Sequence, residues 1–171
     1  MKKTIIDLFE DSVVKYGAKT FLLEKKHRAF EPTTYAETRE QALETGAGLA
    51  AAGIRPGDKV AILSEGCNAW ITSELGVFYA GAVSVPLSVK LEESNDLLFR
   101  MRHAEVRALF VSKYQLSKIR RIRAELPQVE HIIVIGHTPL EAGETALGTL
   151  RRMGRDYLAA NREEFLSLIH I

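Results

Sequence analysis

The sequence predicts an α/β fold, a doubly wound, mostly parallel sheet with helices on both faces. Short apolar runs alternate with helical stretches, and each connection is long enough to return the chain for a parallel strand. The runs are continuously apolar, which is typical of strands covered on both faces. We expect such strands at 60–63, 82–87, 108–111 and 131–136.

Two helices precede the first of these strands. Thr4 and Asp7 have the spacing of a capping box and begin a short amphipathic helix. The chain then turns at Gly17, extends through 21–23, and enters a helix of about eighteen residues at the start signal 32–34. Several small residues on the inner side of this helix would allow close packing. That side comprises Ala42, Leu43, Gly46, Leu49 and Ala50.

A tight turn connects the second helix to the first core strand. Gly53 suits the end of a helix, where a positive φ is needed. The residues 55–58 match a type II turn, in which Pro56 sets φ and Gly57 takes the positive φ that follows. The strand at 60–63 begins directly afterwards.

The helix that follows Cys67 is apolar around almost its whole circumference. Glu74 is its only charged residue. A helix of this kind is buried on several sides. Because a domain of 171 residues has little room for an interior helix, we expect this one to pack against further protein.

Helices and strands continue to alternate towards the C-terminus. We expect helices at 92–103 and 114–126, then a loop at 138–145 and a last helix at 146–168. The helix at 114–126 has an apolar stripe formed by Leu116, Ile119, Ile122 and Leu126.

Composition is that of an ordinary globular domain and argues against several classes of function. The net charge is +1, so bulk charge favours neither nucleic acid nor an anionic membrane. A single cysteine, Cys67, excludes an internal disulfide framework and suits a reducing compartment. No apolar segment approaches the ~20 residues of a membrane span, and there is no secretory signal pattern. We therefore expect one cytoplasmic domain over residues 1–171.

The turn at 64–68 is a candidate anion site because it follows a strand and opens a helix. It contains one glycine, Gly66, and lacks the G-x-G-x-x-G spacing of a dinucleotide site. Glu65 would repel a phosphate. Gly46 and Gly48 lie inside a predicted helix and cannot supply the motif. A scaffold role is the favoured interpretation.

Cys67 and the histidines are the candidates for nucleophilic or metal chemistry. Cys67 lies near a helix N-terminus, which lowers a thiol pKa, but no basic partner is close in sequence. A structural cysteine is favoured. No metal-ligand spacing is present among the histidines, which are His27, His103, His131, His137 and His170.

Basic residues cluster on two predicted helices. Their charges spread around each helix without interleaved aromatic residues, so solvated faces are favoured over nucleic-acid binding. The clusters are Lys118, Arg120, Arg121 and Arg123, and Arg151, Arg152 and Arg155. No triad, paired catalytic carboxylates or P-loop can be assembled. The sequence thus predicts no catalytic, cofactor-binding or metal-binding residue in this chain.

The residues 33–88 nevertheless form an ordered series, and in order and spacing it resembles the N-terminal part of the AMP-forming acyl-CoA synthetases, the adenylate-forming superfamily. Looser similarity reaches 129–135, and the helical segment at 147–165 is similar to that of long-chain fatty acyl-CoA ligases. Gly66 departs from the family, which often has asparagine there. The series comprises Thr34-Tyr35-Ala36-Glu37, Gly48-Leu49, Gly53-Ile54, Gly57-Asp58-Lys59-Val60-Ala61-Ile62, Trp70, Gly76, Ala80-Gly81-Ala82-Val83 and Val85-Pro86-Leu87.

The resemblance implies a two-step reaction in a larger parent enzyme. A fatty acid carboxylate attacks the α-phosphate of ATP with the help of Mg²⁺, giving an acyl-adenylate and pyrophosphate, and coenzyme A then displaces AMP. In the family the phosphate loop, the adenine pocket, the Mg²⁺ carboxylate and the mobile lid all come after the point where this sequence stops. We therefore expect an incomplete N-terminal portion of the large AMP-binding domain, inactive alone and without a cofactor of its own.

Two other hypotheses stay open. The chain is a standalone α/β module for binding or interaction without catalysis, or it is an unrelated α/β nucleotide-binding or regulatory domain. Under the favoured interpretation the partners are a fatty acid and the remainder of the same enzyme, with no nucleic acid. Peripheral membrane association is a further option for the parent enzyme.

Overall fold

The strands and helices follow one another largely as predicted in a computed structural model that describes residues 4–167. The predicted helix end at Leu168, like His170, lies outside these residues. The strands are β1 (Thr20–Lys26), β2 (Ala29–Thr34), β3 (Lys59–Leu63), β4 (Val83–Pro86), β5 (Val106–Ser112), β6 (His131–Ile135) and β7 (Glu144–Ala146). The helices are α1 (Ile5–Tyr16), α2 (Tyr35–Ala51), α3 (Asn68–Tyr79), α4 (Ser94–His103), α5 (Leu116–Ile122) and α6 (Leu147–Ser167).

The later strands form one parallel sheet in the order β4-β3-β5-β6-β7, whereas β1 and β2 form a separate antiparallel hairpin. From β3 the chain moves to the edge strand β4, crosses over β3 to β5, and continues outward through β6 and β7. Strands are thus added on both sides of β3, which is the doubly wound arrangement. The predicted fold class is confirmed.

Helices cover both faces of the parallel sheet, and alternate strand residues point to opposite faces. Both sets of strand side chains are buried, which explains the continuous apolar runs. On one face α4 and α5 place Leu97, Met101, Leu116 and Ile119 over Leu63, Leu109, Val111 and Val134. On the other face α2, α3 and α6 place Leu49, Val77 and Leu150 over Val60, Ile62, Phe110 and Ile133.

The interior helix α3 is covered in part by this chain itself. It contacts β3 and β4 on one side and α2 on another, while α1 and β1 approach it from outside. Ser73, Gly76 and Tyr79 are buried as a result. Trp70, Ile71 and Phe78 of the same helix are only half-buried, so the expectation that α3 packs against further protein stays a prediction.

Glycines set the distance between the packed helices. A Cβ atom at Gly46 of α2 would come within 2.6 Å of the Gly76 carbonyl oxygen on α3. A Cβ atom at Gly154 of α6 would come within 1.8 Å of the Glu44 carbonyl oxygen on α2. The predicted role of small residues on α2 is confirmed, although the sequence pattern did not identify the residues that they meet.

The local turn predictions hold, but two strands and one helix boundary differ. Gly53 and Gly57 have φ values of 91° and 86°, as expected. The β1–β2 turn contains no glycine or asparagine, and His27 adopts the positive φ of 55° there. The sequence therefore carries no hairpin signal. β7 begins inside the predicted loop at 138–145. The predicted helix at 114–126 divides into α5 and a 3-10 turn.

Proline limits the open edge of the sheet at β4. Val83 and Leu87 donate their N–H groups to the Asp58 and Ile62 carbonyls at 2.8 and 2.9 Å. The backbone N–H groups of the alternate residues therefore point to the open edge, and at Pro86 this N–H group is missing. This edge is a poor template for a further strand.

Candidate functional site

The carboxyl ends of β3 and β5 mark the point where the strand order reverses. In open α/β sheets ligands bind in the crevice outside such a point. The turn at 64–67 follows β3, and the segment at 113–115 follows β5 on the neighbouring strand. This edge of the sheet is therefore the candidate site that the topology indicates.

Side chains of the protein already join the two turns at this edge. The Gln115 amide donates a hydrogen bond to the Glu65 carboxylate at 2.7 Å. Burial alone would raise the pKa of Glu65, but the polar groups of Ser112 and Gln115 and the charge on Lys118 lower it. Glu65 is thus held as a carboxylate at the mouth of the crevice, where it repels anions.

Lys118 of α5 closes the same edge by contacting the loop after β4. Its ammonium group donates to the carbonyl oxygens of Val89 and Leu91 at 2.9 and 3.1 Å and pairs with Glu92 at 2.9 Å. Its side chain is only 11% exposed. These contacts hold the loop after β4 against α5. The Lys118 side chain therefore lies across the crevice.

The N-terminus of α3 also has an acceptor from within the chain. The Asn68 backbone N–H donates to the Glu24 carboxylate of β1 at 3.3 Å, and the Asn68 side-chain amide donates to the Thr33 hydroxyl at 3.3 Å. The hairpin thus supplies the negative charge that a helix N-terminus favours. A phosphate here would displace Glu24 and face Glu65, so these residues do not fit ATP.

Cys67 and the described histidines are dispersed. Cys67 is the half-buried N-cap of α3 and makes no side-chain capping bond. His27 lies in the hairpin turn and His103 at the end of α4, while His131 is the first residue of β6 and His137 follows the end of that strand. Over residues 4–167 no group of three or more His, Cys, Asp or Glu side chains is placed to hold a metal ion.

The basic cluster on α5 is more buried than the sequence predicts. Lys118 binds the loop after β4, Arg120 binds Glu144 at 2.7 Å, and Arg123 donates to the Leu126 carbonyl at 2.8 Å. Arg121 alone of the four is exposed. The predicted solvated face is therefore wrong for Lys118 and Arg120, because their partners come from distant segments, while Arg123 is half-buried through a local contact. On α6, Arg151 and Arg155 pair with Glu44, but only Arg151 is half-buried, and Arg152 and Arg155 are exposed as predicted.

The Arg120–Glu144 pair predicts a pH dependence of stability. The hydrogen bond from Arg120 lowers the pKa of Glu144 below its ordinary 4.5, against the effect of burial, and the Glu144 side chain is 4% exposed. Its stabilisation is present above pH 4.5 and is lost as the pH falls through the folded-state pKa. We expect Glu144→Gln to lower the melting temperature at neutral pH, with a difference from wild type that shrinks in acid.

Glu141 offers a matched control for that measurement. It pairs with the same arginine at 3.2 Å, but its side chain is 64% exposed. Glu141→Gln should change the melting temperature little at any pH, since exposed ion pairs contribute about 0–1 kcal/mol. A Glu144→Gln deficit that stays constant from neutral to strongly acid pH would contradict the prediction.

Comparison with known proteins decides the family. The family model described as AMP-binding enzyme matches residues 9–163. The chain belongs to the AMP-binding enzyme family. The resemblance to acyl-CoA synthetases drawn from residues 33–88 is confirmed, and this AMP-binding chain has the α/β fold of solved members. It matches the anthranilate CoA ligase AuaEII with a TM-score of 0.79 and 28% identity, covering 86% of this chain and 27% of that one.

Two curated relatives of this AMP-binding chain are named as ligases of long-chain fatty acids. A long-chain-fatty-acid–CoA ligase of Thermus thermophilus is 29% identical over 145 residues, which are 83% of this chain and 27% of the relative. The chloroplastic long-chain-fatty-acid–[acyl-carrier-protein] ligase AEE15 of Arabidopsis thaliana is 28% identical over 64% of this chain and 15% of its own length. The chain thus spans less than a third of these relatives.

Sequence reasoning missed the residues that define the candidate site. Glu24, Gln115 and Lys118 act on partners 44, 50 and at least 26 residues away, so no local spacing reveals them. The turn at 64–68, which the sequence did single out, lies where predicted. Among the described helices, none has both the length and the apolar character that crossing a membrane requires.

Proposed function

We propose that this chain is part of an ATP-dependent ligase that joins a fatty acid to coenzyme A through an acyl-adenylate. The observation that carries the proposal is the family match over residues 9–163. The fatty acid follows from the Thermus thermophilus relative, whose name specifies a long-chain fatty acid and which aligns with 83% of this chain. The full enzyme would use ATP, Mg²⁺ and coenzyme A, and we place it in the cytoplasm.

Within that enzyme we assign residues 1–171 a scaffolding role in the large AMP-binding domain. The crevice at the end of β3 is lined by Glu24 and Glu65 and is crossed by Lys118, an arrangement that suits structure rather than phosphate binding. We therefore propose that the residues that contact ATP, Mg²⁺ and coenzyme A belong to other parts of the enzyme. The function of this chain is then to position those parts.

A standalone binding or interaction module is the second candidate. The contacts of α3 with the chain's own α1, α2 and β1 favour it, because they help to bury half of that apolar helix without any other protein. A module of this kind would fold and stay monodisperse without the rest of a ligase. It would bind a partner without forming an adenylate.

A pyrophosphate-exchange assay tests whether the isolated chain is catalytically active, which neither candidate function predicts. We expect the 171-residue chain to show no fatty-acid-dependent exchange of labelled pyrophosphate into ATP above a protein-free background. The Thermus thermophilus ligase, assayed with the same fatty acids, serves as the positive control. Exchange by the isolated chain would overturn the assignment of the catalytic residues to other parts of the enzyme.

A further inference from the structure

The tip of the β1–β2 hairpin carries an exposed basic cluster. Lys25, Lys26, His27 and Arg28 are consecutive, and all four are exposed. Lys26 pairs with Glu31 at 2.8 Å. Within residues 4–167 no ion pair engages Lys25 or Arg28. The hairpin therefore presents two cations that the described part of the chain does not neutralise.

Large apolar side chains lie beside these cations. Leu23 and Phe30 are 60% and 65% exposed. In the hairpin register Lys25 faces Phe30 and Leu23 faces Pro32, so Leu23, Lys25 and Phe30 share one face of the hairpin. The opposite face is turned inward, since Glu24 bonds to α3. The outward face thus combines apolar and cationic groups that the fold itself leaves unused.

We propose that this hairpin tip, residues 23–30, docks on an anionic phospholipid surface. Phe30 and Leu23 enter the boundary between headgroups and acyl chains, and Lys25 and Arg28 lie at the lipid phosphates. The combination favours a membrane over nucleic acid, because Phe30 could stack on a base but the exposed aliphatic Leu23 beside it could not. Because the net charge of the whole chain is only +1, the electrostatic attraction to the lipid surface comes from the hairpin tip. The proposal does not depend on ligase activity.

Vesicle flotation with the 171-residue chain tests the proposal. We expect the chain to float with vesicles in which about a third of the lipid is phosphatidylserine, and not with phosphatidylcholine alone. The double substitution Lys25→Gln with Arg28→Gln should weaken binding by about 25-fold, since each cation near the surface contributes about fivefold. Phe30→Ser should weaken it by at least about tenfold.

Matched controls use exposed residues elsewhere in the chain. Arg152→Gln with Arg162→Gln removes two exposed charges of α6, and Val14→Ser removes an apolar side chain that is 88% exposed on α1. Both should bind vesicles as wild type does. The emission of Trp70, the only tryptophan, and the circular dichroism of each variant establish that it is folded.

Three results would overturn the proposal. The first is failure of the wild-type chain to float with the anionic vesicles. The second is equal weakening by the hairpin pair and by the α6 pair, which would mean non-specific charge attraction. The third is binding to a single-stranded oligonucleotide that requires Lys25 and Arg28 without any binding to vesicles, which would assign the tip to nucleic acid.

Discussion

Gly154→Ala is expected to lower the free energy of unfolding by about 3 kcal/mol, because it forces two packed helices apart. The added Cβ would lie 1.8 Å from the Glu44 carbonyl oxygen and 2.7 Å from the Gly48 nitrogen. Both are backbone atoms of α2, so no side-chain rotation relieves the clash. The separation would also expose the apolar residues beneath the contact, including Leu150 and Leu158.

Thermal unfolding followed by circular dichroism measures this effect. For a domain of this size the expected fall in melting temperature is about 6–12 °C. Gly148→Ala is the matched control, because it lies in the same helix and a Cβ there meets nothing within 4 Å. That change should be neutral or stabilising by up to about 1 kcal/mol, owing to the higher helix propensity of alanine. Equal melting temperatures for the two variants would refute the close contact between α2 and α6.

Glu10→Ala should cost about 2 kcal/mol, because one carboxylate joins three helices. Glu10 of α1 accepts hydrogen bonds from Arg39 of α2 at 2.8 Å and from the Tyr79 hydroxyl of α3. Burial and the Glu10 contact raise the pKa of Tyr79 well above its ordinary value, so the hydroxyl stays a donor. Removing Glu10 leaves a half-buried guanidinium and a buried hydroxyl without their partner.

Chemical denaturation with urea tests the network. The midpoint should fall for Glu10→Ala at an unchanged slope, since the change affects stability and not the surface exposed on unfolding. Glu40→Ala is the control, because Glu40 pairs with the same Arg39 at 3.2 Å but its side chain is 56% exposed. It should cost less than about 1 kcal/mol. Similar losses for the two variants would show that the contact with Tyr79 contributes nothing.

Elements that depend on neighbouring residues were predictable. The buried strands show as continuous apolar runs because each is covered on both faces, and Gly53 and Gly57 reveal turns because a positive φ favours glycine. The hairpin was not predicted, because its positive φ is adopted by His27 and no glycine marks the turn. The short strand β7 was missed because three residues carry too little periodicity to be recognised.

The sequence by itself determined the parallel α/β class, the helix starts and, through the series at 33–88, the family. Only the tertiary structure decided that Glu24 occupies the N-terminus of α3, that Lys118 and Arg120 are structural, and which elements pack on α3. The physical reason is range. Propensity and periodicity act over a few residues, whereas a hydrogen bond between Asn68 and Glu24 joins groups 44 positions apart, and only folding brings them together.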